Sequence, residues 1–271
     1  MKIKRFLTGI IGFPIVALLL IFGNNYIFSI LCFLISIVGM NEYTNCVSKK
    51  VHPIKWISFL STLFVGIIAL IPTLYLNYII QFGIPVLLLI LFLHVIISNM
   101  KISFEDITYT LIGILYIVGL ISFLPLTYSY NGNIPGKVLI WFILFSAWGT
   151  DTWAYLVGMK IGKTKFSKVS PNKSIEGCIA GVIGAVAMTV LFAFALNYYL
   201  KLGISYFTIG IISAVLSLIG QIGDFSASVI KRTFDVKDFS EIFPGHGGML
   251  DRIDSVIFIA PFAYLLLTLF L

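Results

Sequence analysis

Charged residues are scarce in this chain of 271 residues: they make up 11% of the sequence, whereas hydrophobic residues make up 59%. A water-soluble domain of this length would carry about 25% charged residues, so the composition excludes a soluble globular protein. Several apolar runs are long enough to cross a bilayer as helices. The sequence therefore predicts an all-α, polytopic integral membrane protein, because helices satisfy their own backbone hydrogen bonds within lipid.

Cysteine and histidine are also rare, with three residues of each. Cys32, Cys46 and Cys178 have no spacing typical of a metal site or a disulfide framework, so we interpret them as packing residues. The sequence has no Ser/His/Asp constellation. The net charge of +7 arises from cations in short loops between apolar runs, as membrane topology requires. We therefore expect no nucleic-acid partner and no nucleophilic side chain.

The apolar runs predict about nine membrane-spanning helices. Residues 6–41 carry no charge and divide at Gly23-Asn24-Asn25, giving two spans, the first of which we interpret as retained rather than cleaved. Residues 56–100 are also uncharged and divide around residues 72–81, giving two more. The other five are expected at about 107–127, 138–159, 178–200, 204–223 and 255–271. We divide the chain into N-terminal scaffold spans, residues 1–136, and a catalytic half, residues 137–271.

The distribution of basic residues predicts the orientation of these spans. With the N-terminus inside, the outer segments contain only Lys137 and Lys201, and every other lysine and arginine lies on the inner side. This asymmetry predicts an N-in, C-out topology. The acidic residues also fall on or near the inner side, so we expect the chemistry at the cytoplasmic face.

An aspartate lies within the predicted sixth span. Asp151 stands near the inner end of that helix, between two threonines. A carboxylate in a span is costly unless it is paired or hydrated, so a functional role is our first interpretation. A structural ion pair with a loop lysine is the alternative.

The loop after the sixth span is rich in lysine. Lys160 and Lys163 are explained by topology and by attraction to anionic lipid. The segment SPNKSIEG, residues 170–177, instead combines a turn, hydroxyls and a lysine at the start of a helix. This arrangement suits anion binding at a helix N-terminus, so Ser170 and Lys173 are candidate substrate-binding residues.

The densest polar stretch begins at Asp224 and ends at Asp254. If the eighth helix continues past the membrane, one face carries Asp224, Ser228, Lys231 and Asp235. A glycine-rich turn, residues 244–248, then precedes a helix with Asp251 and Asp254 on one face. An ordinary network of interfacial ion pairs is the alternative, although so many charges around a glycine turn exceed what solvation needs.

These residue types indicate phosphate chemistry on a metal. The backbone N–H groups of Gly247 and Gly248 can approach phosphate oxygens. Carboxylates beside phosphate need a divalent cation between them, and Mg²⁺ is the usual one. We therefore predict one or two Mg²⁺ ions, with the ligands Asp224, Asp251 and Asp254. The cations predicted to neutralise phosphate charge during transfer are Lys231, Arg232, Lys237 and Arg252.

The role of His246, which lies between two glycines, stays open at this point. It could contact phosphate, transfer a proton or cap the loop. A phosphate monoester is already an anion at neutral pH, so its attack on a second phosphorus needs alignment and charge neutralisation more than a general base.

The segment SVIKRTFDVKDFSEIFPGHGGMLDRID, residues 228–254, closely resembles the signature of phosphatidate cytidylyltransferases, also called CDP-diacylglycerol synthases. The matching positions are Ser228, Lys231, Arg232, Lys237, Asp238, Pro244, His246, Gly247, Gly248, Asp251, Arg252 and Asp254. Asp151-Thr152 with Ala154-Tyr155, and the turn from Ser170 to Gly177, also resemble family features. Asn172 and Ile175 depart from the basic and aromatic residues often found there. The likeness covers about the C-terminal half of the chain.

The resemblance implies that CTP and phosphatidate react to give CDP-diacylglycerol and pyrophosphate in the presence of Mg²⁺. It also implies a polytopic helical fold that is often dimeric. Together, the resemblance and the polar pattern imply a set of catalytic residues: Asp224, Lys237, Asp238, His246, Asp251 and Asp254. Ser228 joins the candidate substrate-binding residues. We expect the protein in the plasma membrane of a bacterial-type cell.

Four other functions fit this pattern less well. A polyprenol-type lipid kinase or an ether-lipid cytidylyltransferase would also use CTP, but the complete His-Gly-Gly-x-x-Asp-Arg-x-Asp run favours the diacylglycerol enzyme. A CDP-alcohol phosphotransferase is disfavoured because the sequence lacks an Asp-Gly-x-x-Ala-Arg segment. An ion-coupled transporter usually shows repeats and broken helices at the midplane, whereas these charges cluster at the inner interface.

Overall fold

The computed structural model describes residues 14, 16–71, 73–166, 170, 173–242 and 247–271, and its regular elements are all helices. In chain order these are α1 (Asn25–Val47), α2 (Lys55–Ile67) with a 3₁₀ turn (Ile68–Leu70), α3 (Thr73–Ile97), α4 (Phe104–Gly113) with a π-helical turn (Ile114–Gly119), α5 (Phe123–Tyr128), α6 (Gly136–Ile161), α7 (Ile175–Leu200), α8 (Tyr206–Thr233) and α9 (Leu250–Phe270). Residues 16–22 are also helical. Within these described ranges, β-type pairing is limited to isolated bridges. The all-α prediction is confirmed.

Five helical segments of the described chain are long and apolar enough to cross a membrane. They are α1, Phe104–Tyr128, α7, α8 and α9. The protein is therefore an integral membrane protein. The first predicted span, residues 6–23, lies largely outside the described residues. The count of nine spans and the N-in, C-out topology stay predictions.

One predicted helix break is confirmed and another is wrong. The chain leaves its helix at Gly23 and Asn24, and the Asn24 side chain accepts a hydrogen bond from Ile27 N at 2.9 Å, which caps α1. The break expected over residues 72–81 is shorter, because α3 already begins at Thr73. The polar residues Asn77 and Gln81 therefore lie within the helix rather than in a loop.

The described residues up to Pro125 form one compact unit. In it, the hydroxyl of Tyr43 on α1 donates to Tyr109 O on α4 at 2.9 Å. Asp106 completes a capping box with Ser103 at the start of α4. The other oxygen of Asp106 accepts from His52 N at 2.6 Å, so the loop between α1 and α2 is fixed against α4.

Leu126–Leu271 forms the second unit, in which close helix approaches depend on glycine. A Cβ added at Gly149 of α6 would lie 2.8 Å from Ala185 Cα of α7. Helix α9 approaches α8 in the same manner, since a Cβ at Gly223 would lie 2.7 Å from Asp254 O. Hydroxyls join α6 to α8: Thr150 Oγ1 donates to Ser217 Oγ at 2.6 Å. These contacts bring the polar ends of four helices together.

Candidate active site

A cavity of about 800 Å³ opens where α6, α7, α8 and α9 converge. Its walls combine five carboxylates with four cations, so it is suited to a ligand that carries several charges. The charged side chains that line it are Asp151, Lys165, Lys173, Asp224, Lys231, Asp238, Asp251, Arg252 and Asp254, and Ser170 lines it as well. Segments that are far apart in the sequence, including the predicted turn and the C-terminal signature, thus share one cavity.

Asp251, in the first turn of α9, is held from three directions. Lys231 Nζ on α8 lies 2.5 Å from Asp251 Oδ1. Asp251 Oδ2 accepts from Phe239 N and Gly248 N, both at 2.9 Å. Gly247 has a φ of +82°, and a Cβ there would lie 2.9 Å from Asp251 Oδ2, so the glycine turn can close over the carboxylate. These three partners fix the position of the Asp251 carboxylate.

Lys173 projects from the loop before α7 and forms an ion pair with Asp224 of α8. Its ammonium also lies 4.4 Å from the centre of the Phe225 ring, whose plane stacks on Phe166 at 4.8 Å. Burial lowers the pKa of Lys173, although the carboxylates of Asp151 and Asp254 act in the opposite direction. Lys173 is therefore a desolvated cation beside several carboxylates, a position suited to a phosphate oxygen.

Asp151 and Asp254 face the same cavity from α6 and α9. Asp254 is buried, with 8% of its surface exposed, and its Oδ1 accepts from Ser255 N at 2.8 Å. Asp151 is exposed and lines the cavity. Its carboxylate repels the carboxylate of Asp254 electrostatically. The structural alternative for Asp151 was an ion pair with a loop lysine, but the loop lysine Lys173 pairs with Asp224 instead.

The predicted metal ligands do not form a ready-made site. Among the described residues, no three His, Cys, Asp or Glu side chains are grouped so that they could hold a metal ion. Asp224 and Asp251 each have a lysine as partner. The Mg²⁺ prediction is therefore unconfirmed. The donor type nevertheless fits, because carboxylate oxygens are the protein ligands that Mg²⁺ prefers.

Several residues of the signature lie outside the cavity lining. Helix α8 continues past the predicted end of its span to Thr233, which leaves Asp235 beyond the helix with a φ of 55°. Arg232 is exposed and donates to Val236 O at 3.3 Å, and Lys237 is exposed. The remaining residues outside the lining are Ser228, Gly247 and Gly248. Their substrate contacts stay predictions, and His246 lies outside the described residues.

The structure adds cavity residues that the sequence interpretation missed. Lys165 lines the cavity, although it stands in the lysine run that topology alone could explain. Gln221 also lines the cavity, and its Nε2 donates to Cys178 O at 3.1 Å, which joins α8 to α7. Gln221 precedes Asp224 by three residues and therefore shares its helix face. That spacing alone would have predicted Gln221 as a residue of the site.

The fold and this cavity together define a helical membrane protein with a cavity rich in charged side chains. Comparison with known proteins identifies the family to which this membrane protein belongs. The sequence model of the cytidylyltransferase family matches residues 3–270, so the chain belongs to this family. It is 31% identical to the phosphatidate cytidylyltransferase of Bacillus subtilis (strain 168), over 98% of each chain.

Two further relatives carry the same name. The phosphatidate cytidylyltransferase of Staphylococcus epidermidis (strain ATCC 12228 / FDA PCI 1200) is 32% identical over 98% of this chain and 99% of its own. The enzyme of Synechocystis sp. (strain ATCC 27184 / PCC 6803 / Kazusa) is 27% identical over 100% of this chain and 98% of its own. The likeness therefore includes the N-terminal spans, whereas the sequence motifs were confined to the C-terminal half.

Proposed function

We propose that this protein is a nucleotidyltransferase that converts CTP and phosphatidate to CDP-diacylglycerol and pyrophosphate. The observation that carries the proposal is the cavity in which aspartates and lysines from α6, α8, α9 and the loops before α7 and α9 meet, in a chain that belongs to the cytidylyltransferase family. In the reaction, a phosphate oxygen of phosphatidate attacks the α-phosphorus of CTP. The bond from that phosphorus to the β-phosphate oxygen breaks, and pyrophosphate leaves.

The cations of the cavity bind the phosphates in this proposal. Lys173, Lys231 and Arg252 line the same space from a loop, α8 and α9. Three positive charges that converge from different elements can follow the negative charge as it moves from the attacking phosphate to the leaving pyrophosphate. Because the first two are paired with aspartates in the described structure, they must exchange those partners for phosphate oxygens.

One or two Mg²⁺ ions complete the proposed site, with Asp224, Asp251 and Asp254 as ligands. When bound, Mg²⁺ neutralises phosphate charge and holds the phosphates in line. Asp224 and Asp251 can take this role once Lys173 and Lys231 move to phosphate. The support is the carboxylate-rich lining of the cavity and the preference of Mg²⁺ for such oxygens.

The proposed membrane arrangement follows the sequence interpretation. The chain has about nine spans, N-in and C-out, in the plasma membrane of a bacterial cell, with the cavity at the cytoplasmic face where CTP is available. Residues 137–271 carry catalysis and residues 1–136 form a lipid-facing scaffold. Accessibility of single cysteines to a membrane-impermeant reagent tests the topology. The homodimer implied by the family resemblance is tested by the mass of the purified protein.

The activity is tested directly with detergent-purified protein, labelled CTP, phosphatidate and Mg²⁺. We expect chloroform-extractable label and release of pyrophosphate, and loss of both when EDTA is added. Label transferred to a polyprenol or an ether lipid, but not to phosphatidate, would assign one of the related CTP-dependent activities instead. If no lipid accepts label, the proposal is wrong and ion-coupled transport becomes the function to test.

A further inference from the structure

A second cavity, of about 510 Å³, lies entirely within the N-terminal unit. It is built from the loop between α1 and α2, the first turn of α2, the end of α3 and the segment before α4. The lining residues are Ser48, His52, Pro53, Ile54, Lys55, Trp56, His94 and Ile102. Apolar walls with a few convergent polar side chains are typical of small-molecule sites. The proposed reaction uses none of these residues.

The polar groups of this cavity are donors and cations. Residues 48–56 and 94–102 contain four lysines and no aspartate or glutamate. Lys55 lines the cavity, and its ammonium makes a long hydrogen bond, 3.4 Å, to Asn45 Oδ1. The imidazoles of His52 and His94 each supply an N–H donor even when neutral. The excess of positive charge and donors favours an anionic ligand.

Asp106, a carboxylate that contacts this loop, already has hydrogen-bond partners. Asp106 is 6% exposed, and its oxygens accept from His52 N at 2.6 Å and Ser103 N at 2.9 Å. Both oxygens of Asp106 are therefore already engaged by backbone N–H groups. Glu105, the neighbouring acidic residue, is exposed but does not line the cavity.

The walls of the cavity are held in place by contacts inside the unit. Ile54 N donates to Thr110 Oγ1 at 2.8 Å, which fixes the loop to α4. The rings of Trp56 and His94 meet edge to face with centroids 5.4 Å apart, which joins α2 to α3. The site is therefore formed before a ligand arrives.

Apolar surface continues from the cavity along two helices. Leu60 and Leu63 of α2 are exposed, and so are Ile96 and Ile97 of α3. Trp56, with 53% of its surface exposed, stands between the polar cavity and this surface, as tryptophan does at membrane interfaces. A ligand that is anionic at one end and apolar at the other matches the whole surface.

We propose that this cavity binds the headgroup of an anionic phospholipid of the surrounding membrane, with its acyl chains along α2 and α3. Basic pockets between membrane helices bind anionic lipid headgroups on the cytoplasmic side by charge complementarity, and this cavity offers the same complementarity. Because the cavity shares no residue with the candidate active site, the bound lipid is a resident lipid and is not consumed.

The proposal is tested by native mass spectrometry of the delipidated full-length protein in detergent, titrated with dioleoyl phosphatidylglycerol or with dioleoyl phosphatidylcholine. We expect tighter binding of the first phosphatidylglycerol than of phosphatidylcholine. Lys55→Gln should weaken that first site about fivefold, since one cation near a membrane contributes about 1 kcal/mol, and Lys55→Arg should restore it. Lys201→Gln, which removes an exposed cation that lines neither cavity, should change nothing.

Equal affinity for the two lipids, or the same weakening by Lys55→Gln and Lys201→Gln, would overturn the proposal. Melting temperatures establish that each variant is folded. If Lys55→Gln does not fold, Lys101→Gln removes an exposed cation beside the cavity and should weaken the phosphatidylglycerol site in its place. Since the readout is lipid binding without CTP, the result is independent of the proposed cytidylyltransferase activity.

Discussion

Lys231 of α8 and Asp251 of α9 form a buried ion pair in which the ammonium lies 2.5 Å from the carboxylate, with side chains 11% and 4% exposed. The carboxylate also accepts two backbone N–H groups from the segment between the helices. One residue pair therefore fixes the position of α9 relative to α8, and its carboxylate also holds Gly248. The same two side chains line the candidate active site, so stability and catalysis are coupled here.

Asp251→Asn should abolish turnover and also lower stability. The substitution removes a proposed Mg²⁺ ligand and leaves the buried ammonium of Lys231 without its counter-charge, which costs about 3–5 kcal/mol. The double variant Lys231→Met/Asp251→Asn should regain most of the lost stability, because the uncompensated charge is gone, but should stay inactive. Label transfer from CTP and thermal unfolding in detergent measure the two effects. Near-normal turnover in Asp251→Asn would contradict the metal assignment.

Asp254→Asn should separate catalysis from stability. Asp254 lines the cavity without a lysine ion pair of the kind that holds Asp251; its Oδ1 accepts from Ser255 N at 2.8 Å, and an amide oxygen can replace that acceptor. We expect turnover to fall about a thousandfold, since a metal stabilises transition-state charge by several kcal/mol, with a melting temperature close to that of the unsubstituted protein. An active Asp254→Asn enzyme would remove this residue from the site.

Deprotonation of Lys173 should reduce the activity at alkaline pH. Burial lowers the pKa of this ammonium below the ordinary lysine value of about 10.4. If the charged form binds phosphate, kcat/KM for CTP decreases as pH rises through the lowered pKa. Lys173→Arg keeps its charge at high pH, so its profile should extend further into the alkaline range. A pH–rate profile of both enzymes makes the comparison.

Lys173→Ala should raise KM for CTP about tenfold, because a hydrogen bond to a charged group contributes about 1.5–3 kcal/mol. The KM for phosphatidate, measured in the same preparation, shows whether the loss is specific to the nucleotide. An unchanged KM for CTP in Lys173→Ala would place the ammonium away from the nucleotide phosphates.

Gly177→Ala should disturb the approach of α7 to α6. A Cβ at Gly177 would lie 2.8 Å from Ala154 O, a backbone atom that cannot move aside without shifting α6, which carries Asp151. We expect a loss of about 1–3 kcal/mol in the free energy of unfolding together with lower turnover.

Gly210→Ala is the matched control for this glycine substitution. A Cβ at Gly210 would make only ordinary contacts, at 3.7 Å or more, and alanine favours a helix over glycine by about 1 kcal/mol. The control variant should therefore be unchanged or slightly more stable. Equal losses of stability in Gly177→Ala and Gly210→Ala would mean that Gly177 is not needed for the close α6–α7 contact.

Local features of the structure were predictable where they depend on neighbouring residues. The helix break at Gly23-Asn24-Asn25 was predicted because the uncharged run of residues 6–41 is too long for one span. The structure confirms the break and shows that Asn24 caps α1. The break over residues 72–81 was placed too broadly, since Asn77 and Gln81 were taken as loop residues although they lie in α3. A helix tolerates such polar residues when its remaining face is apolar.

The composition and motifs by themselves determined that the protein is an α-helical membrane protein and that its polar chemistry is concentrated in a few segments of the C-terminal half. Apolar run length and the cost of unsatisfied backbone groups in lipid are local properties, so the sequence is sufficient for them. The tertiary structure decided which of the polar residues meet. It placed Asp151, Lys173, Asp224 and Asp251 around one cavity and left Arg232 and Lys237 exposed. This arrangement depends on the close approach of helices at glycines such as Gly149 and Gly223. Such packing joins distant segments of the chain, so no local sequence pattern encodes it.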